Sequence, residues 1–315
     1  MKKFIFIILF CLCPLSARAA TNTSITNRII DEKTIQFWNR TFQYGISSQK
    51  DSVCNYIRQN RTRKALDLLV KYLPQEKNAS TRKLMIMTLV SFTNREVVPS
   101  LLDILKNEKD QQMRILALSS LGELKYRPAY QQVMEFLDSE DEFLVENALR
   151  ALGQMEAKEC TQDLLVRLET EKRERIRTAL ILALANIKSE KAQEKLISIV
   201  TNDDEREIDR SYAVTGLGFI RNKRSYDVLV RSYARMDPNI KVRIIDSLGN
   251  LEYREAIGLL KEALKDDDKN IRYYSVMALG RLKARECLDI LEYKKDYDPD
   301  YKVREKVKEV LKELK

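Results

Sequence analysis

From about residue 80 onward the apolar residues neither alternate nor run on unbroken. They return at steps of three and four for about a dozen residues, give way to a few polar ones, and start again. Such a pattern predicts successive amphipathic helices, each with one stripe to bury. It also recurs at longer range. "MRILALSSLGEL" (113–124), "LVENALRALGQM" (144–155), "IKVRIIDSLGNL" (240–251) and "IRYYSVMALGRL" (271–282) superimpose without gaps. With the weaker copies, one register position runs Val90, Gly122, Gly153, Ala185, Gly218, Gly249, Gly280 and Lys312, at steps of 32, 31, 32, 33, 31, 31 and 32 residues. Leucine precedes it in every copy, and an apolar residue lies two past it. A second apolar ladder begins eleven past it, at Leu101, and continues to Leu291. Each repeat therefore reads as a helix A followed by a helix B, and stacked copies share one core.

The joints are legible as well. Twelve residues before the register position stand Asn78, Asp110, Asp141, Asp237, Asp268 and Asp300, with Arg173 and Arg206 as exceptions. Asp or Asn there predicts an N-cap for helix B, and Pro238 fits a first helical turn. Four residues further on is a basic ladder: Arg82, Arg114, Arg177, Arg210, Lys241, Arg272 and Arg304. It can be read as an anion-binding stripe or as an Asp–Arg network at the start of helix B. The glycines suit either a left-handed C-cap or a slot into which the next repeat presses. Ala185 at the same register favours the slot, because alanine avoids the left-handed region.

This order of Asp/Asn, Ile/Val-Arg, Ala-x-x-Ala-Leu-Gly and a basic residue before the next A helix resembles HEAT-like repeats, in the short form named after phycobilin lyases. "NIRYYSVMALGRLKARECLDIL" (270–291) is the nearest copy. The resemblance spans roughly residues 60–315. It implies an all-α fold, a right-handed α–α superhelix or solenoid of about eight two-helix repeats, with the B helices lining a concave face. It does not imply an activity.

Three segments are expected: a signal peptide at 1–20, an N-terminal helical cap at 21–60 and the solenoid at 61–315. "MKK", the apolar run "FIFIILFCLC" and Ala17–Ala19 make the pattern of a cleaved secretory leader, so the protein is expected to be exported, to the periplasm or beyond. Losing Lys2, Lys3 and Arg18 takes the net charge from +9 to +6, spread along the chain, and nucleic acid is not an expected partner. In the cap, "TIQFWNRTFQYG" (34–45) and "SSQKDSVCNYI" (47–57) read as paired helices, with Trp38 in their core.

The chain has no histidine, which removes His-based general bases, Ser-His and Cys-His dyads, and the usual zinc and iron sites. Cys160 and Cys287 occupy equivalent positions four repeats apart, on the order of 40 Å, far beyond disulfide reach. Both, with Cys54, read as small core residues standing in for alanine. The acidic clusters at 138–142, 202–207 and 266–268 lack calcium-loop spacing and read as caps. No nucleotide-binding motif is present, so neither metal nor cofactor is expected, and no catalytic residue.

What remains is surface. Helix-B positions three, six and seven before the register, and one after it, face away from the core. Toward the C-terminus they become Tyr212, Phe219, Arg243, Tyr273, Tyr274, Met277 and Arg281. Tyr, Met and Arg are enriched at protein interfaces. The expectation is a monomeric, non-enzymatic scaffold or adaptor gripping a protein partner, with envelope association open. The same tyrosines could instead fill gaps between B helices. The alternative function is a module for envelope polymer or anionic ligand, using the Arg ladder.

Overall fold

The computed structural model describes residues 30–92 and 95–314, so the expected leader at 1–20 lies outside the described residues. These residues form eighteen α-helices and no strand, and several helices are entered through a short 3-10 turn. The chain divides into two compact units, up to Leu84 and from Met85.

The first unit holds α1 (Glu32–Tyr44), α2 (Ser47–Asn60), α3 (Leu66–Tyr72) and the start of α4 (Ala79–Val90). The Asp31 carboxylate caps α1 by accepting the Thr34 N–H at 2.8 Å. The helix ends at Gly45, where the backbone turns extended. Trp38 is buried, its ring 5.4 Å from that of Tyr56, which puts it in the core of the helix pair. Lys50 on α2 binds Glu76 beyond α3 at 2.7 Å.

The second unit continues α4 with α5 (Val98–Asn107), α6 (Gln111–Glu123), α7 (Tyr130–Met134), α8 (Glu142–Gln154), α9 (Thr161–Thr170), α10 (Glu174–Ile187) and α11 (Glu190–Thr201). There follow α12 (Glu207–Phe219), α13 (Lys223–Tyr233), α14 (Pro238–Leu251), α15 (Ile257–Ala263), α16 (Lys269–Arg281), α17 (Leu288–Tyr297) and α18 (Tyr301–Leu314). Even numbers are B helices and odd numbers A helices. From α6 to α18 consecutive B helices pack against one another, and each packs against its own A helix. The column Leu121, Leu152, Leu184, Leu217, Leu248 and Leu279 is wholly buried. Each such leucine contributes about 1.5–3 kcal/mol by leaving water.

The glycine column is a slot. A methyl group on Gly122 would lie 3.1 Å from the Ala151 Cα; on Gly153, 3.1 Å from the Ala183 Cα; on Gly249, 2.9 Å from both Cα and Cβ of Ala278. On Gly218 it would lie 2.7 Å from the Ser247 Cβ, and on Gly280 3.0 Å from Val310. The partner is always the residue two before the register position of the next B helix. Where the register residue is Ala185, that partner is Gly216, whose added Cβ would lie 2.8 Å from the alanine's. The missing methyl has changed sides of the joint.

No glycine has a positive φ. The left-handed caps fall three residues past the register, on Lys125, Glu156, Lys188, Glu252 and Lys283, with φ between 48° and 62°. Around them the Lys125, Glu156 and Lys283 N–H groups donate to the register carbonyls of Gly122, Gly153 and Gly280 at 2.9–3.0 Å. The next N–H in each case donates five residues back, as from Ala157 to Leu152 at 3.2 Å. This is the Schellman arrangement, built here without glycine.

The Asp/Asn column caps helix B as expected. Asn78, Asp110, Asp141, Asp268 and Asp300 each accept a first-turn N–H, whereas Asp237, followed by Pro238, makes no such bond. Five of the seven basic-ladder residues are bonded internally, whereas Arg210 pairs with Asp203 at 3.3 Å and Lys241 lies 5.6 Å from the Tyr233 ring. Arg82 donates to the Leu73 carbonyl (2.6 Å), Arg114 to Glu108 (2.5 Å), Arg177 to Leu168 (2.8 Å), Arg272 to Asp266 and Asp267 (2.9 Å each), and Arg304 to Asp298 (2.5 Å). Each satisfies carbonyls left open where helix A ends.

Arg272 also grips Asp298. The buried Asp298 carboxylate accepts from Arg272 Nε at 2.9 Å and Nη2 at 3.0 Å, and from Lys294 at 3.1 Å. Burial alone would raise its pKa, but the bonds from Arg272, the Asp300 amide and Lys294 outweigh it and hold it below the usual carboxylate value. The folded state therefore binds this proton less readily than the unfolded chain. The resulting stability is present above about pH 4 and is lost as pH falls through the lower folded value.

Two outcomes follow from this packing. Overpacking of about 1–3 kcal/mol at Gly249→Ala outweighs the roughly 1 kcal/mol by which alanine is the better helix former, giving a net loss. Adding Ala278→Gly, in imitation of the Ala185–Gly216 joint, recovers part of it. Urea midpoints of the two single variants and the double variant check this; strictly additive losses would place the reason for glycine elsewhere. Arg272→Met, which leaves the buried Asp298 carboxylate with Lys294 and the Asp300 N–H, is expected to cost about 3–5 kcal/mol at neutral pH. Asp298→Asn should flatten the acid limb of the stability curve, measured by denaturant melts from neutral to acid pH.

Candidate partner-binding face

The side of each B helix left over from packing is fixed by elimination. The positions one, four and five before the register are buried in α6 through α16. The stripe ten, seven, six and three before it is then the water-facing side. Apart from the buried Ala179, its residues are half-buried or exposed from Lys83 to Glu309.

Five of the sequence-predicted residues lie on this stripe, and Phe219 and Arg281, one past the register, lie beside it. Tyr212, Phe219, Tyr273, Tyr274 and Met277 are half-buried, and Arg243 is exposed. Tyr212, Arg243 and Tyr274 hold the same register position on the consecutive helices α12, α14 and α16, so they form a row across the repeats. Tyr273 and Tyr274 meet edge to face, with ring centroids 5.7 Å apart. Lys306 of α18 lies 5.8 Å from the Tyr273 ring, so Tyr273 leans on the next repeat as well as facing water. A bond to Glu309, outweighing burial, holds the Lys306 ammonium above its usual pKa. Arg281 is engaged: its Nη1 donates to Asp246 Oδ1 at 2.7 Å and to the Asp246 carbonyl at 3.2 Å. It braces α14 against α16 and is a poor candidate for gripping a partner.

The sequence reading missed the outermost row of the stripe. Ten before the register the copies have Ser80, Gln112, Arg175, Asn239, Asn270 and Lys302, but two carry exposed apolar residues, Phe143 (57%) and Ile208 (45%). The Arg175 guanidinium lies 3.9 Å over the Phe143 ring and binds Glu146 at 2.5 Å, and Arg150 binds the same carboxylate at 3.0 Å. Aligning all eight copies for apolar residues in a polar column would have found both.

The cysteines offer no chemistry on this face. Cys54, Cys160 and Cys287 are buried free thiols, and burial pushes the first two up to about 12. Among the described residues no group of three His, Cys, Asp or Glu side chains could hold a metal ion, and no helix is long and apolar enough to cross a membrane.

Removing side chains from this stripe should leave the fold nearly untouched. Tyr274→Ala and Arg243→Ala are each expected to change stability by less than about 1 kcal/mol. Arg281→Ala should lose about 1 kcal/mol or less, the worth of a half-exposed pair. Denaturant unfolding checks all three; a loss above about 3 kcal/mol at Tyr274 would make it a core residue.

The match to a known family agrees with this architecture. The model of HEAT repeats matches residues 50–122, 98–185, 130–212 and 231–312. Among solved structures, human deoxyhypusine hydroxylase in complex with glycerol is 16% identical, with a TM-score of 0.36, over 82% of this chain and 98% of that one. An engineered protein is 16% identical, with a TM-score of 0.44, over 91% and 90%. The complex of CpcE and CpcF of phycocyanin lyase from Nostoc sp. PCC7120 is 17% identical, with a TM-score of 0.47, over 79% and 94%. No curated protein matches the chain. Its repeats, their capped joints and their shared core make this chain a member of the HEAT-repeat family.

Proposed function

We propose that this protein is an exported, non-enzymatic adaptor that holds a partner polypeptide on the water-facing side of its B helices. One observation carries the reading: large interface-type side chains gather on that side at α12, α14 and α16 without being needed by the core. Tyr212, Arg243, Tyr274 and Met277 offer rigid, amphipathic area of the kind that anchors protein partners. The absence of histidine and the buried, unreactive cysteines support a binding role over a catalytic one. The "MKK…ARA" leader supports export.

The anion-binding alternative draws less support. It needs free cations in the basic ladder, and Arg82, Arg114, Arg177, Arg272 and Arg304 are bonded to carbonyls of their own repeats.

Affinity capture from the native envelope or secreted fraction, with the wild type and Tyr273→Ala/Tyr274→Ala side by side, tests the reading. The expected result is a protein retained by the wild type at high salt and lost with the double variant, both proteins melting within a few degrees of each other. A capture profile that the double variant leaves unchanged would sink it. N-terminal sequencing of the protein from its native fraction should begin near residue 20; an intact Met1 would sink the export part.

A further inference from the structure

The row Tyr212–Arg243–Tyr274 has a chemistry of its own. The face carries four arginines, and three are engaged: Arg150 and Arg175 with Glu146, Arg281 with Asp246. The Arg243 side chain has no hydrogen-bond or ion-pair partner among the described residues. Asp246, one turn along the same helix, is taken by Arg281. The Arg243 guanidinium is exposed, shares its register position with Tyr212 and Tyr274 on the two neighbouring B helices, and has no carboxylate of its own, so it is open to one from a partner. Its planar fork matches a carboxylate bidentately, and the ring faces beside it suit apolar side chains.

Spacing selects the occupant's conformation. Packed helices lie about 8–10 Å apart, and an extended chain advances about 3.3 Å per residue, so about three residues carry it from one helix to the next. An extended chain also presents unpaired backbone N–H and C=O groups. Asn250 on α14 and Asn270 on α16 stand on the same face with side-chain amides that have no partner among the described residues. Each amide can donate to one backbone group and accept from another. A helical occupant, with its backbone bonded internally, would have no use for them.

We propose that this row binds an extended acidic segment of the partner, with an Asp or Glu carboxylate on Arg243 and an apolar side chain about three residues to either side, against Tyr212 and Tyr274. The proposal rests on the reading of this face as a polypeptide-binding surface and specifies what it selects.

Selection of a phage-displayed random peptide library on the full chain tests it, repeated on Arg243→Glu and on Tyr212→Ala/Tyr274→Ala. The wild type is expected to enrich peptides with an acidic residue flanked by apolar residues at about three-residue spacing. Arg243→Glu should replace the acid with Lys or Arg while keeping the flanks, and the tyrosine variant should lose the flanks. For one enriched peptide, Arg243→Gln should weaken binding at least about tenfold, yet leave the affinity of the peptide's Glu→Gln version unchanged. Circular dichroism melts of the variants guard against misfolding. An acidic preference that survives Arg243→Glu would overturn the proposal. So would apolar spacing of a helical face, or a library yielding no peptide that depends on these three residues. If capture from the native fraction depends on Tyr273 and Tyr274 but no charge swap appears, only this inference fails. If neither depends on the face, the adaptor reading fails with it.

Discussion

The close approach of consecutive B helices is the contact on which the rest of the second unit depends. One methyl group is left out at each joint: at Gly122, Gly153, Gly218, Gly249 and Gly280 on the N-terminal side, and at Gly216 facing Ala185. Added methyls would meet backbone or Cβ atoms at several joints, and such atoms cannot swing aside. The exchange of sides at Ala185–Gly216 indicates that the sum of the two residues is constrained, and neither one alone. Because the interface between repeats supplies burial that no single hairpin achieves, these joints set the register of the whole stack.

That arrangement accounts for the charges. In five repeats helix A ends with open carbonyls that an arginine from the following B helix closes. The acidic residue at the turn closes the first N–H groups of helix B. Most of the polar turn chemistry is therefore consumed internally, including the Arg272–Asp298–Lys294 cluster, whose two charged partners around Asp298 are themselves well buried. Much of the charge at the joints is thus committed within the fold, whereas Arg243, in the middle of α14, is not.

The proposed function uses the one stripe of the B helices that packing does not claim. In the N-terminal copies this stripe mixes polar, charged and aliphatic residues; across α12 to α16 it carries tyrosines, a methionine and an unpaired arginine. Ile208 on α12 and Phe143 on α8 add exposed apolar area in its outermost row. The stripe is a surface without an enclosed chemical centre, so selectivity has to come from the order of side chains along it, one helix at a time.

Much of this was legible in the chain. The period of about 32 residues, the leucine column, the Asp/Asn caps and the slot reading of the glycines follow from which residue types recur at fixed spacing, because stacked repeats force equivalent positions into equivalent surroundings. The stripe was legible too, by the same helical arithmetic. Partnerships between side chains were not. Sequence spacing left the Arg ladder open between an anion stripe and an internal network, and only the folded turns bring each guanidinium onto its carbonyl. It grouped Arg281 with Arg243, although one is bonded to Asp246 across the repeat and the other is free. It gave no sign that Lys125, Glu156, Lys188, Glu252 and Lys283 adopt the left-handed cap, since long charged residues are not marked for that conformation. Periodicity fixes which face a residue occupies; contacts across about thirty residues of chain decide what it touches there, and those exist only once the repeats are stacked.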